Sequence, residues 1–312
     1  FFPQLVAGPI ERASNLIPQI LKPRIFYYQR GLQGLRLILW GLFKKTVIAD
    51  SLAWRVEYSF NNYNHLDGGS LLLGLVYFSI QIYCDFSGYS DIAIGSAKLL
   101  GIELISNFKF PYFSKNISDF WTNWHISLSS WFKDYVYIPL GGSKHNKLKT
   151  IRNIYATFMI SGFWHGANWT FIVWGLAHAT LFMPSIIIGK QIKFTKQHIK
   201  EYEIRRRITD SIRIFFTFFL VTITWPLFRA DSLKTSFEYF YLIISELSIP
   251  ADNRGGVIII LIFLIFEWSI KDDERNPLRF KNIYLRHSIY YFIIVMIYLK
   301  IGTAQEFIYF QF

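Results

Sequence analysis

The chain has 312 residues, of which 52% are hydrophobic and 19% aromatic, a composition too apolar for an ordinary soluble domain and typical of an integral membrane protein. The formal net charge is +12, but the basic residues lie in short clusters between apolar runs, as in cytoplasmic loops, so nucleic acid is not the expected partner. The single cysteine, Cys84, excludes an intrachain disulfide and a cysteine-based zinc site.

The N-terminal part of the sequence predicts a loop followed by a helix. Pro and Gly interrupt regular structure at residues 7–12, which predicts a loop buried in protein. Residues 31–54 have a helical pattern, but Lys44 and Lys45 near its middle favour a helix that lies at a membrane interface or ends there. Because the sequence starts at Phe1 without a signal segment, we expect it to be a fragment that lacks N-terminal spans.

Several apolar runs can span, or nearly span, a bilayer, which takes about 20 residues. With no repeat and no low-complexity linker between them, they predict an all-α, polytopic membrane fold formed by one domain over residues 1–312. The runs lie at residues 68–84, 152–164, 168–189, 212–228, 255–270 and 287–301.

A polar stretch at residues 83–91 directly follows the first apolar run. Its carboxylates, Asp85 and Asp91, need partners if they lie within a membrane. They either orient a catalytic group or a sugar, or tie helices together through hydrogen bonds, and the second role is favoured.

Residues 116–137 predict a helix that begins at Asn116 or Ser118 and lines a cavity. Polar groups are costly in hydrocarbon, so the polar side chains of this stretch should face a protein interior or a wet cavity. The residues predicted to line it are Asn123, Trp124, His125 and Ser127.

The basic loops predict the orientation of the chain. By the positive-inside rule, the stretches rich in Lys and Arg lie in the cytoplasm. The short turn at residues 165–168, between two apolar runs, then lies deep on the extracytoplasmic side, and residues 230–254 fall on that side too. The basic stretches are residues 144–152, 190–213 and 271–286.

His125 and His165 are predicted to lie at similar depth. If residues 125–139 are helical, they rise roughly 20 Å, and residues 152–165 climb about the same distance, within a hydrocarbon slab of about 30 Å. A neutral imidazole accepts and returns protons near physiological pH. As general base, His165 could deprotonate a hydroxyl that attacks a thioester, an effect worth about 10²–10⁴ in rate. Both histidines could equally be structural, so the spacing leaves their roles open.

Other residues near this turn are further candidates. Gly166 and Ala167 are small and would leave room for a substrate, while Trp164, Asn168 and His178 are predicted to line the substrate channel. Two histidines without a matched carboxylate are a weak metal signal, and no metal is predicted. Phosphate-binding and dinucleotide motifs are absent from the sequence, which gives no support to ATP- or NAD-linked chemistry.

Several segments together resemble one family, the membrane-bound O-acyltransferases, in the branch that contains alginate O-acetyltransferase and the D-alanine transferase of teichoic acids. The resemblance covers almost the whole chain. The segments that carry it are FFPQLVAGPIER at 1–12, GLFKKTVIAD at 41–50, YCDFSGYSDIAIG at 83–95, NFKFPY at 107–112, DFWTNWHISLSSWFKDYVYIPLGG at 119–142, GFWHGANWTFIVWG at 162–175 and the terminal FIYFQF.

The resemblance implies a many-helix fold with a central funnel or tunnel in a bacterial cytoplasmic membrane. It implies that His165 is the catalytic histidine and His125 the second motif histidine. It further implies no bound cofactor, a cytoplasmic acyl donor (acetyl-CoA or an acylated carrier protein), an extracytoplasmic polysaccharide acceptor and a partner protein that completes delivery.

Two other functional classes stay open from the residues alone. One is a proton-coupled transporter or exporter of a glycan, with buried Asp and His residues as the proton relay. The other is a noncatalytic membrane scaffold. Transfer of a labelled acyl group that depends on His165 would separate the enzyme from both.

Overall fold

The computed structural model describes residues 1–144, 146–188, 200–300, 305, 307 and 308, with the backbone alone for residues 188 and 200–206. Throughout the described residues the regular structure is helical, without a strand, which confirms the all-α prediction. Residues 190–199 of the second basic stretch and residues 309–312 of the terminal segment lie outside the description.

Thirteen α-helices follow one another along the described chain. They are α1 (Ala13–Leu21), α2 (Tyr28–Leu42), α3 (Asp50–Asn61), α4 (Gly68–Leu99), α5 (Ile117–Asn123), α6 (Ile126–Phe132), α7 (Lys147–His165), α8 (Trp169–Ile188), α9 (Lys200–Thr222), α10 (Pro226–Arg229), α11 (Leu233–Ser245), α12 (Val257–Ile270) and α13 (Ile283–Lys300).

Across the part of the chain that the structure describes, every predicted apolar run falls on helical structure that often extends further, but the run at residues 212–228 is divided between α9 and α10 by a turn at residues 223–225. Within the described residues, three helical stretches are long and apolar enough to cross a membrane: α4, Trp169–Ile187 of α8, and Arg207–Arg229. The chain is a multi-pass membrane protein. The stretch at residues 230–254, which connects two of the apolar runs, contains the additional helix α11.

The chain divides into two compact units, one formed by Phe1–Lys109 with Tyr241–Phe312 and the other by Phe110–Phe240. We refer to them as the first and the second unit. The prediction of one domain over residues 1–312 stays a prediction.

In the first unit, α2 packs closely along α4 through pairs of glycines. A Cβ added to Gly34 would lie 2.7 Å from the carbonyl oxygen of Gly95, and one added to Gly41 would lie 2.5 Å from that of Gly88. Small residues at such crossings let two helix backbones approach and gain van der Waals contact, as in membrane helix pairs generally.

The predicted helix over residues 31–54 is present but does not end at its two lysines. The chain stays helical from α2 through a π-helical segment, Phe43–Ala49, into α3. Lys44 is buried with its Nζ 2.7 Å from Asp91 Oδ2. The helix therefore continues because carboxylates within the first unit compensate the lysine charge.

The second unit has a helix break that the sequence interpretation missed. The stretch predicted as one helix over residues 116–137 begins at Asn116 as expected, since the Asn116 side chain accepts a hydrogen bond from the amide of Asp119 at 2.8 Å. It then breaks at Trp124 and His125, between α5 and α6, and ends in a π-helical segment, Lys133–Tyr137.

Candidate functional site

His165 is the last residue of α7, and its half-buried imidazole is surrounded by aromatic rings of the second unit. The ring centroid lies 5.5 Å from that of Trp174 on α8, 5.1 Å from that of Phe228 on α10 and 6.3 Å from that of Phe171 on α8. We call Phe171, Trp174 and Phe228 the aromatic wall. Phe228 also contacts the other two members, with centroids 5.0 and 5.1 Å apart.

The wall forms because α7 and α8 make a tight helical hairpin. A Cβ on Gly162 would collide with the carbonyl oxygen of Phe171, and one on Gly175 would collide with that of Phe158. The hairpin can close to this distance only with glycine at both positions, which places the end of α7 beside the first turns of α8.

Two hydrogen bonds of the Asn168 side chain hold the turn after His165 in place. Asn168 accepts a hydrogen bond from the amide of Thr170 at 3.1 Å, and its amide group donates to the carbonyl of Asp231 at 3.1 Å. The space beside Gly166 is filled, since an added Cβ would lie 2.7 Å from the Phe171 ring. In this direction the absent side chain of Gly166 accommodates Phe171, and the expectation that Gly166 and Ala167 leave room for a substrate stays a prediction.

His125 is buried and occupies the helix break between α5 and α6. Its backbone is left-handed, with φ 42° and ψ 53°. Such a conformation costs a non-glycine residue about 1–3 kcal/mol and is concentrated at functional sites. The strained backbone thus belongs to a histidine whose ring contacts another candidate residue, Trp164.

Trp164 lies between the two histidines. Its ring is edge-on to His165 at 5.0 Å and to His125 at 6.5 Å, and the two imidazoles are close enough to interact electrostatically. The structure thus brings His125, Trp164 and His165 together. The rise predicted for a helix over residues 125–139 is not the reason, because His125 precedes α6.

The group of His125, Trp164 and His165 is accessible at Trp164, whose side chain is 51% exposed. Phe163 and Trp169 next to it are exposed as well. Aromatic side chains with this exposure are typical of a membrane–water interface, and the position of the turn deep on the extracytoplasmic side stays a prediction.

Three further candidates from residues 116–137 support the site from within the protein. Asn123 donates a hydrogen bond to Ser114 Oγ at 3.2 Å. Trp124 is buried, and its ring stacks on Phe120 with centroids 5.4 Å apart. Ser127 is completely buried in α6, so these side chains belong to the packed interior that surrounds His125.

Asp85 and Asp91 lie in the first unit and make the contacts expected of residues that tie helices together. Asp85 Oδ1 is 2.7 Å from Lys45 Nζ, and its second oxygen accepts the amide of Ile308 at 2.7 Å. Asp91 pairs with Lys44 at 2.7 Å. The polar stretch remains inside α4 because each carboxylate has a lysine partner.

His178 is completely buried on α8, although it was predicted to line the channel. Its Nε2 lies 3.0 Å from Thr224 Oγ1, and its ring is edge-on to Trp174 at 4.8 Å. His178 is therefore linked to His165 through the ring of Trp174, which contacts both imidazoles.

Sequence reasoning missed the aromatic wall and Thr224. Phe171, Trp174 and Phe228 lie in apolar runs where many aromatic residues occur, so composition does not distinguish them from ordinary core residues. The sequence signal for the close approach of the two helices is the pair Gly162 and Gly175, which lie in two neighbouring apolar runs. Within the described residues, no group of three or more His, Cys, Asp or Glu side chains could hold a metal ion.

The geometry suits proton transfer in a site with little water. The imidazole of His165 can accept a proton from a hydroxyl positioned beside it, and the resulting imidazolium can return that proton to a leaving group. Aromatic faces on several sides limit hydration, which strengthens electrostatic interactions with a reacting group.

The family model of membrane-bound O-acyltransferases matches residues 1–228. Among the curated relatives, a Pseudomonas aeruginosa protein named a probable alginate O-acetylase, AlgI, is 36% identical over 290 residues, which cover 90% of this chain and 53% of that protein. A peptidoglycan O-acetyltransferase of Helicobacter pylori is 39% identical over 243 residues, 76% of this chain and 44% of that protein.

A teichoic acid D-alanyltransferase of Bacillus subtilis is 34% identical over 194 residues, which cover 58% of this chain and 48% of that protein. The chain spans about half the length of the curated relatives it matches. The names of these relatives give different acceptors and share the transfer of an acyl group.

Proposed function

Because the chain belongs to the membrane-bound O-acyltransferase family, we propose that the protein transfers an acyl group, in the first place acetyl, from a thioester donor to a hydroxyl of an extracytoplasmic polysaccharide. His165 is the general base of this reaction. The observation that carries the proposal is a half-buried imidazole between the aromatic wall and Trp164, with His125 on the other side of that ring.

The reaction balances with one histidine as proton carrier. A ring nitrogen of His165 takes the proton of the acceptor hydroxyl as its oxygen attacks the thioester carbonyl carbon. The carbon–sulfur bond then breaks, the imidazolium returns the proton to the departing sulfur, and the products are an ester and a free thiol. His125 is proposed as a supporting residue, since it reaches His165 across Trp164.

The class of substrate follows from the relatives. The names of the matched proteins give alginate and peptidoglycan as acetylated acceptors and teichoic acid as a D-alanylated one. Alginate and peptidoglycan, the acetylated acceptors in these names, are polysaccharides, so a polysaccharide is the proposed acceptor and acetyl the proposed acyl group. We propose a bacterial cytoplasmic membrane location, with acetyl-CoA or an acylated carrier protein as cytoplasmic donor and an extracytoplasmic partner protein that completes delivery.

The buried carboxylates weigh against the alternative of proton-coupled glycan transport. A proton relay needs carboxylates that change protonation during transport, whereas Asp85 and Asp91 are each within 2.7 Å of a lysine ammonium. Each carboxylate is therefore engaged in an ion pair within the first unit, which is the contact expected of a residue that ties helices together.

The test uses the full-length protein in proteoliposomes, supplied with radiolabelled acetyl-CoA on one side and an alginate or peptidoglycan oligosaccharide on the other. We expect labelled ester on the oligosaccharide with the wild type and a loss of about 10²–10⁴ in rate with His165→Ala. His65→Ala is the control, because His65 lies exposed in a turn of the first unit.

Two results would contradict the proposal. Transfer by His165→Ala at the wild-type rate would remove His165 from the reaction. Proton-driven movement of the oligosaccharide across the membrane, without a thioester donor and without ester formation, would favour the transporter instead.

A further inference from the structure

His178 lies one ring away from the proposed base. Its imidazole is completely buried on α8, with its centroid 4.8 Å from that of Trp174, which in turn lies 5.5 Å from His165. A second indole, Trp121, is edge-on to the same imidazole at 5.1 Å. His178 is therefore separated from a substrate at His165 by the aromatic rings that pack around it.

The hydrogen bonds of Thr224 determine which nitrogen of His178 carries the proton. Thr224 Oγ1 lies 2.7 Å from the carbonyl oxygen of Val221 and 3.0 Å from His178 Nε2. The hydroxyl has a single proton, which the carbonyl of Val221 accepts, so the contact with His178 requires Nε2–H as donor. A chain of two hydrogen bonds thus runs from His178 through Thr224 to Val221 near the end of α9.

This chain of hydrogen bonds connects α8 to the corner that carries Phe228. Thr224 lies in the turn between α9 and α10, and its carbonyl accepts the amide of Leu227 at 3.1 Å. The next residue, Phe228, contacts both Trp174 and His165. The position of this corner relative to α8 therefore sets the position of Phe228 within the aromatic wall.

We infer that His178 and Thr224 are positioning residues for acyl transfer, holding the turn between α9 and α10 against α8 so that Phe228 and Trp174 orient the imidazole of His165. The inference rests on the proposed function, since the rate that it affects is the acyl-transfer rate. Neither residue touches the reacting atoms. Their contribution is an orientation of His165 that holds during the proton transfer.

The first test compares two substitutions at Thr224 in the full-length enzyme. Thr224→Val keeps the shape but loses the hydroxyl, and we expect kcat to fall about threefold to tenfold, the worth of one hydrogen bond, with KM for acetyl-CoA unchanged. Thr224→Ser keeps the hydroxyl and should retain the wild-type kcat. Thr217→Val is the matched control, a buried threonine of α9 given the same change.

The second test substitutes the histidine. His178→Gln keeps a side-chain N–H donor at a similar reach and should keep most of the activity, whereas His178→Leu should lower kcat as Thr224→Val does. An equal loss in Thr224→Val and Thr217→Val, or an equal loss in His178→Gln and His178→Leu, would overturn the inference, because it would indicate a general packing effect.

A spectroscopic measurement keeps this inference separate from the proposed function. In protein with nitrogen-15-labelled histidine, the His178 signals are assigned by their absence in His178→Gln and should report the neutral Nε2–H tautomer. Signals of the Nδ1–H tautomer would overturn the inference whatever the activity. Wild-type protein that has the Nε2–H tautomer but transfers no acyl group would instead contradict the proposed function.

Discussion

The contact between Gly166 and Phe171 predicts a specific loss of activity. A Cβ at Gly166 would lie 2.7 Å from Cε2 of the Phe171 ring, whereas carbon atoms prefer about 3.5–4.0 Å. The ring would have to move by roughly 1 Å in Gly166→Ala. The backbone itself tolerates alanine, because Gly166 is extended, with φ 164° and ψ 154°.

The displaced ring belongs to the aromatic wall, so the effect on catalysis should exceed the effect on folding. Overpacking of this size costs about 1–3 kcal/mol of stability, while a misplacement of about 1 Å near a reacting group can lower the rate 10²-fold. We expect Gly166→Ala to reduce labelled acetyl transfer by one to two orders of magnitude, on the order of that misplacement cost, in protein that still unfolds cooperatively on heating.

A double variant tests the cause. Phe171→Leu removes the atoms that the new methyl group would meet, so Gly166→Ala with Phe171→Leu should be no less active than Phe171→Leu alone. A double variant in which the two losses of activity simply multiply would refute the reasoning, because it would mean that Gly166 acts independently of the ring.

Three more predictions concern other parts of the chain. Lys44→Met removes the buried partner of Asp91 and should destabilise the protein by about 3–5 kcal/mol, read as a lower unfolding temperature in detergent that Lys44→Met with Asp91→Leu largely recovers. At the start of α4, desolvation raises the pKa of Asp67, but hydrogen bonds that it accepts from Ser248 and neighbouring groups together outweigh this effect, so its pKa lies below its usual value near 4. Its stabilising contribution is complete above pH about 4 and is lost as pH falls further, so the wild type should lose unfolding temperature there more steeply than Asp67→Asn, and equal slopes would contradict the assignment. His125→Gly should be more stable than His125→Ala by about 1–2 kcal/mol, because only glycine relieves the left-handed backbone, and unfolding in denaturant that ranks them in the opposite order would argue against strain at this position.

The helices could be predicted from the sequence because membrane helices follow from long apolar runs. The apolar run that contains α8 exceeds the length of a span and the one within α4 nearly reaches it, and little besides a helix satisfies their backbone groups in hydrocarbon. The ends of the helices were harder to predict from the sequence. Helix α4, for example, continues through Asp85 and Asp91 because Lys44 and Lys45, from another part of the chain, pair with them. Such pairing is a tertiary effect without a local signal.

The candidate site was predictable in its residues but not in its geometry. The grouping of His125 with His165 was expected from a continuous helix, and the structure instead brings them together through a break at a left-handed histidine. Nothing in the local sequence marks this break, because neither Pro nor Gly occurs between Asn116 and His125. The roles of His178 and Thr224 were hidden for a similar reason, since their hydrogen bond joins residues 46 positions apart.

Chemical rescue of His165→Ala tests the central claim most directly. The full-length variant is assayed for labelled acetyl transfer with increasing concentrations of free imidazole, beside the wild type. If His165 is the general base, the variant should lose about 10²–10⁴ in rate, and imidazole should restore part of it with a dependence on pH that follows the neutral form of the added base. A variant that transfers acetyl at the wild-type rate without imidazole would contradict the account.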